Sequence, residues 1–379
     1  MRCASLLTGW LLLTFTGCTV APGSNGAALV GPDRMESVVK HTWTTRDFQL
    51  ESGQTLPELT LAYESYGRLA ADGRNAILVT HGFTSSQHAA GKHAPTDAVA
   101  GWWDGLIGPG KAIDTNRYFV VASNMLGSSY GSTAPRSINP RTGKAYGPDF
   151  PDITLRDIVA AQKAMLDALG VKHLVAVAGP SFGGYQAFQW AVTYPDFMHG
   201  VVAVVTAPKG GGGPEAVETL RRRLATNPSW NDGWHYDRGG VVDTMTAIRV
   251  ETLQRYGTSE LLARTIADPA AREAELRRQA AAWANDFDPN SLIALRKASV
   301  RFDAERDAAR IRAKVLYVLS RTDKLFPPSI APGVMDTLAR AGVQASYFEI
   351  DTECGHVASG PEWAKWGPTL QKFVEGLDR

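Results

Sequence analysis

Cysteine is scarce in this chain, with only Cys3, Cys18 and Cys354 among 379 residues. Three cysteines cannot build a disulfide scaffold, and no pair of them has metal-ligand spacing with histidines, so zinc and dithiol-redox chemistry fall away. Charge of one sign is also missing, because 39 basic and 38 acidic residues leave a net +1. Affinity for nucleic acid rests on a basic excess that neutralises phosphates, so no nucleic-acid partner is expected. The leading apolar stretch, Leu6 to Leu13, is too short to span a bilayer as a helix. What is present is 44% hydrophobic and 20% charged residues, the composition of a globular chain with ample core for one large domain or two ordinary ones. No repeat period is visible.

Arg2 followed by that apolar stretch reads as a signal peptide over residues 1–17, to be left out of the fold argument. The stretch runs into Phe15-Thr16-Gly17-Cys18, which resembles a bacterial lipobox with Phe15 in place of the usual leucine, and Cys18 is the expected lipidation site. An ordinary signal peptide cut nearby is the alternative. Thr19 after the cysteine points to an exported lipoprotein of the outer membrane that faces the periplasm. Residues 18–40, with a polar run rich in Gly, Pro and Ser from Ala21 to Pro32, read as a tether. The expected contact with membrane is the lipid anchor alone.

Trp43 to Leu50 and Leu59 to Tyr66 alternate roughly around a turn near Gly53, as a half-exposed antiparallel pair would. The pattern then changes to short continuous apolar runs at 77–80, 118–122, 174–178, 201–205 and 315–319, interleaved with helical stretches such as 153–169 and 185–194. Such runs fit parallel strands buried on both faces of an α/β sheet. Between Val205 and Val315 the rhythm stops for over a hundred residues that begin with Gly210-Gly211-Gly212-Gly213 and then read helical. Without a following Gly-Lys-Ser/Thr those glycines are a hinge and no phosphate loop. The organisation expected is a core at 41–207, a helical cap insertion at 208–310 and the rest of the core at 311–379.

The strongest chemical signal is Gly179-Pro180-Ser181-Phe182-Gly183-Gly184, directly after one apolar run and before a helical stretch. A serine in Gly-x-Ser-x-Gly at a strand-to-helix turn is a nucleophile elbow, with flanking glycines that permit a strained turn and expose Oγ. A hydroxyl needs a base and an orienting acid, here in the chain order Ser, Asp, His. Asp323 follows the apolar run 315–319, and His356 follows a further strand at 347–350. Asp351 and Glu353 share the loop of His356 and are poorly placed to reach its Nδ1. The oxyanion donors are expected at the amides of Phe182, next to the nucleophile, and Phe83, in the loop after an early strand. His81, His88 and His93 lie in a Gly- and Ala-rich loop without an acidic partner at ligand spacing, so no metal is expected. Cys354 reads as a small buried residue, and Arg221-Arg222-Arg223 as a solvated helix face.

Gly101-Trp102-Trp103-Asp104-Gly105-Leu106-Ile107-Gly108-Pro109-Gly110-Lys111, Asn124-Met125-Leu126-Gly127, Gly131-Ser132-Thr133 and Tyr146-Gly147-Pro148-Asp149-Phe150-Pro151 resemble the homoserine O-acetyltransferase family of α/β-hydrolases. The likeness is dense from Leu61 to Ala207, thin through the insertion, and resumes around Asp323 and His356. It implies an α/β-hydrolase fold, a mostly parallel central sheet with a helical cap. It also places the family's nucleophile, acid, base and oxyanion amides on Ser181, Asp323, His356, Phe83 and Phe182. Two departures bear on substrate. The family's aspartate after the catalytic histidine, which meets the amino group of homoserine, is replaced by Val357. The arginine that holds the homoserine carboxylate has no secure counterpart, since Arg249 is nearby in an ambiguous register. An ammonium buried without its carboxylate costs several kcal/mol, so homoserine is expected to be a poor substrate. The expectation is therefore an exported serine hydrolase acting on a small-molecule ester, without a cofactor, monomeric or a homodimer. The alternative is an O-acyltransferase with a different acceptor.

Overall fold

The computed structural model describes residue 35 and residues 37–377; Cys18 and the leader read from the sequence lie outside the described residues. An eight-stranded sheet runs through it, formed by β1 (His41–Gln49), β2 (Thr55–Tyr66), β3 (Ala76–Thr80), β4 (Phe119–Ser123), β5 (Leu174–Pro180), β6 (Met198–Val204), β7 (Lys314–Ser320) and β8 (Ala345–Ile350). Their order across the sheet is β1-β2-β4-β3-β5-β6-β7-β8. β1 and β2 pair antiparallel, as do β2 and β4, and every pair from β4 to β8 is parallel. Nine helices connect or follow the strands among the described residues: α1 (Leu155–Ala168), α2 (Phe182–Thr193), α3 (Gly213–Ala225), α4 (Val242–Arg255), α5 (Thr258–Leu262), α6 (Pro269–Asp286), α7 (Pro289–Arg301), α8 (Ala331–Arg340) and α9 (Trp363–Glu375). None of them is long and apolar enough to cross a membrane.

The continuous apolar runs follow from cover on both faces of the sheet. Successive residues of one strand point to opposite faces. Leu78, Val121, Val177 and Tyr317 accordingly face one core, with Ile158 of α1 and Phe188 of α2. Their neighbours Ile77, Val120, Ala176 and Leu316 face the other, with Trp103 and with Trp366 of α9. α1 begins at a capping box in which the Thr154 hydroxyl and the Asp157 carboxylate each take the other's backbone amide.

The antiparallel pair differs from expectation in its second strand. β1 is half-exposed throughout, but β2 is buried from Leu61 to Tyr66. This half of β2 is flanked by β4, while the segment 132–133 bonds to its other end, with Thr60 N–H donating to Thr133 Oγ1 and Ala62 N–H to Ser132 Oγ. Within the stretch read as a tether, Val38 is buried and its N–H donates to Lys92 O.

Five helices, α3 to α7, lie between β6 and β7. The chain closes at their base, where Gly210 N–H donates to Phe302 O, Ala304 N–H donates to Pro208 O, and Lys209 Nζ meets Asp303 at 2.9 Å. A Cβ on Gly210 would stand 1.9 Å from Ser299 O, so close approach of two backbones is the reason for glycine there. The arginine run lies on the outside of α3, with Arg222 paired to Glu215 and Arg223 to Glu251 of α4 at 2.5 Å each.

Candidate active site

The turn from β5 into α2 holds Ser181 at φ 57°, ψ −121°, a conformation that a side-chain-bearing residue adopts only when its surroundings impose it. The surroundings are tight: a Cβ on Gly179 would meet Thr80 Oγ1 at 2.2 Å, and one on Gly183 would meet Thr80 O at 2.3 Å. Both glycines of the motif thus let the elbow sit against the end of β3. The Ser181 amide is fixed by Val204 O at 2.8 Å, and its carbonyl accepts from Thr206 Oγ1 at 2.8 Å.

Asp323 and His356 meet beside it. His356 Nδ1 lies 2.8 Å from Asp323 Oδ2, with both side chains buried. The other carboxylate oxygen of Asp323 accepts from the amides of Leu325 and Phe326 at 2.8 and 3.2 Å. The carboxylate is thereby aimed at the imidazole, which places a proton on Nδ1 and leaves Nε2 as the base nitrogen. The rivals from the same loop turn outward: Asp351 pairs with Arg321 at 2.6 Å, and Glu353 pairs with the same guanidinium. Cys354 is buried, with its thiol against Glu362, and burial pushes its pKa up. It is an inert packing residue.

Phe182 supplies the first amide of α2, which has no acceptor within the helix. The loop bearing Phe83 runs alongside: a Cβ on Gly82 would lie 3.7 Å from Ser181 Cβ, and the rings of Phe83 and Phe182 are in contact at 5.6 Å. This loop is steadied by residues the sequence reading passed over. Gln186 of α2 donates to His81 O at 3.1 Å, and its own oxygen accepts from Gln162 at 2.7 Å. The His81 ring is buried between Gly82 O and Asn124, and burial lowers its pKa to about 4. It is neutral near pH 7 and serves the loop. His88 and His93 lie elsewhere, against Glu64 of β2. The expectation that these histidines lack an acidic partner is thus corrected: the partner comes from a strand more than twenty residues earlier, where no local spacing could reveal it.

Ser181 and His356 line one cavity of about 570 Å³, with Phe83, Trp102, Tyr256 and Val357 among its walls. Arg249 of α4 is also in the wall, so the structure resolves the register that the sequence left open. Its guanidinium donates to Thr84 Oγ1 at 2.8 Å, lies over the Trp283 ring at 4.9 Å, and leaves a buried Nε without a partner. No carboxylate pairs with it among the described residues. Burial lowers its pKa, yet a guanidinium starts so high that it stays charged. Val357 donates its amide to Tyr256 O at 3.1 Å, and the Tyr256 ring packs on His356 at 4.7 Å.

Residues 75–361 match the alpha/beta hydrolase fold family. A homoserine O-acetyltransferase of Symbiobacterium thermophilum is 38% identical over 357 residues, spanning 87% of this chain and 92% of its own. The crystal structure of a homoserine O-acetyltransferase from Bacillus anthracis superposes with a TM-score of 0.81 at 29% identity, covering 90% of this chain and 98% of that one. The structure of esterase E22 gives the same TM-score and identity, over 89% and 100%. The expectation of a serine ester hydrolase is overturned by the 38%-identical full-length relative, a homoserine O-acetyltransferase, and the acyltransferase alternative fits it better, although an esterase is among the structural neighbours. The elbow, the Asp-His pair, the eight-stranded sheet and these relatives together make the chain an enzyme that belongs to the alpha/beta hydrolase fold family and, within it, to the homoserine O-acetyltransferase-like family.

Proposed function

We propose that this protein is an O-acyltransferase with a serine nucleophile that passes a short acyl group, through Ser181, to the hydroxyl of an acceptor that carries a carboxylate and no ammonium. The observation that carries the reading is a charged, unpaired Arg249 in the same cavity as Ser181 and His356. A buried cation without a counter-charge is costly, and a substrate carboxylate would remove that cost. Val357 supports the second half of the reading, since an apolar side chain at that position beside the base offers a substrate ammonium no partner there.

In the first half-reaction Ser181 Oγ attacks the acyl carbonyl carbon of an activated donor while His356 Nε2 takes the hydroxyl proton. The oxyanion is met by the amides of Phe83 and Phe182. Collapse breaks the bond to the donor, whose leaving group receives the proton from His356. In the second half the acceptor hydroxyl gives its proton to His356 and attacks the acyl-enzyme. Ser181 Oγ recovers that proton as the new ester departs. Asp323 orients the ring throughout.

The test is product analysis by mass spectrometry with acetyl-CoA as donor and, in parallel, homoserine and simple hydroxy acids as acceptors. Acetylated hydroxy acid, formed faster than O-acetylhomoserine, is the expected result. Release of free acetate at a rate indifferent to every acceptor would overturn the transfer reading, and efficient acetylation of homoserine would overturn the acceptor class.

A further inference from the structure

Outside the cavity, β2 buries a carboxylate completely: the Glu64 side chain is 0% exposed. What reaches it is a phenol and two imidazoles. Tyr66 Oη donates to Glu64 Oε2 at 2.8 Å, His88 Nδ1 lies 3.0 Å from the same oxygen, and His93 Nε2 lies 2.9 Å from Oε1. The two imidazole rings are tilted by 31° to one another with centroids 4.1 Å apart. A carboxylate taken out of water is costly without a counter-charge, and a divalent cation between the three groups would supply one.

One carboxylate and two imidazoles are a zinc donor set, with a fourth position left for water. The three ligand atoms already lie within 4.8 Å of one another. Bonds of about 2.0–2.1 Å in tetrahedral geometry require neighbouring ligand atoms roughly 3.3 Å apart; the two ring nitrogens now lie 3.0 and 2.9 Å from the two oxygens of the carboxylate. An outer shell is in place as well: Tyr66 Oη, which orients Glu64, itself accepts from the amides of Ala89 and Ala90 at 3.3 and 3.1 Å. Such second-shell bonds hold first-shell ligands in position. His93, 45% exposed, leaves the site open to solvent at its rim.

We propose that Glu64, His88 and His93 bind one divalent first-row transition-metal ion, zinc in the first instance, as a structural clamp. The clamp would pin the loop after Phe83 to the carboxyl end of β2. Ser86 O, between the two ends, accepts from Trp102 Nε1 in the cavity wall at 3.0 Å, so the ion would steady that wall without touching substrate.

The experiment is calorimetric titration of the full, tag-free chain with Zn²⁺ after chelator treatment, together with the visible spectrum of the Co²⁺ form and thermal melting with and without metal. One equivalent bound, tetrahedral cobalt bands and a raised melting temperature are expected. His93→Asn, at the exposed rim, should keep the native circular dichroism and bind Zn²⁺ at least about 10²-fold more weakly. Tyr66→Phe should weaken it by about 10-fold to 100-fold through the outer shell. Absence of saturable binding and of cobalt bands in the wild-type chain would overturn the proposal, as would unchanged affinity in His93→Asn.

Discussion

The two sides of the cavity are built by opposite means. Ser181, Asp323 and His356 stand on short loops at the carboxyl ends of β5, β7 and β8, where the register of a buried parallel sheet fixes them. Arg249 and Tyr256 come from α4 and the turn after it, in the helical segment between β6 and β7. The sheet side holds atoms that must line up for bond making and is strained to do so: Ser181 at φ 57° and Val205 at φ 44° both line the cavity. The helical side holds charge and shape. One scaffold can therefore keep its reaction while the helical side alters what is accepted.

The largest effect expected follows from breaking the sheet side. Ser181→Ala should leave a folded chain and lower turnover on the order of 10³-fold or more, for both half-reactions alike, because the triad acts as a unit. Labelling by a fluorophosphonate probe should vanish with it. Activity retained within tenfold would place the nucleophile elsewhere.

Breaking the helical side should separate the half-reactions. Arg249→Met keeps the length and packing of the side chain and removes its charge. Acyl-enzyme formation, read by burst kinetics with a p-nitrophenyl ester, should change by less than about threefold. Acceptor kcat/KM should fall about 10²-fold, the scale of a buried ion pair that loses one partner. Equal loss in both phases would mean that Arg249 serves the fold and not the acceptor.

The same division governs what could be read from the sequence. Ser181 and Asp323 were legible because each follows an apolar strand run, and His356 because it follows a further strand, at spacings set by strand-and-helix units, so local pattern and topology coincide. Arg249 was not, because in a helical segment without strands the register of a side chain against the cavity depends on how helices pack, which one sequence does not state. Glu64 was missed for a related reason. Its strand alternates like a half-exposed one, and its burial comes from β4 and from a loop some 25 residues later. Leader residues aside, the calls that failed were those in which distant segments meet. The hydrolase reading failed differently: Val357 and the leader bear on substrate and address, and neither decides whether water or an alcohol takes the acyl group.

A third test sharpens the comparison where the two sides touch. Gly257, in the turn between α4 and α5, has φ +86°, and a Cβ there would stand 2.6 Å from Cys354 O in the loop of His356. Gly257→Ala should cost about 1–3 kcal/mol in urea unfolding, through backbone strain and overpacking together. Both half-reactions should slow, because the displaced contact carries the base. Unchanged stability and rate would show that the helical segment rides on the His356 loop without supporting it.

The smallest effect is expected at an exposed ion pair on the surface of the helical segment. Arg223 of α3 pairs with Glu251 of α4, and the guanidinium pulls that carboxyl below its ordinary pKa while its own is raised. Both side chains are exposed, at 41% and 53%, so water and salt screen the pair, and such pairs contribute roughly 0–1 kcal/mol. Glu251 titrates low because it is paired in the folded chain, so the contribution is present above its unfolded pKa and fades as the pH falls through the lowered folded value. Arg223→Ala should therefore shift the unfolding midpoint slightly at pH 7, by progressively less as the pH falls into the acid range, and leave Arg249-dependent acceptor kinetics within twofold. A large kinetic effect would mean that α3 and α4 move as one body with Arg249, and the charge in the cavity would then be set from the surface of the helical segment as well as from its cavity wall.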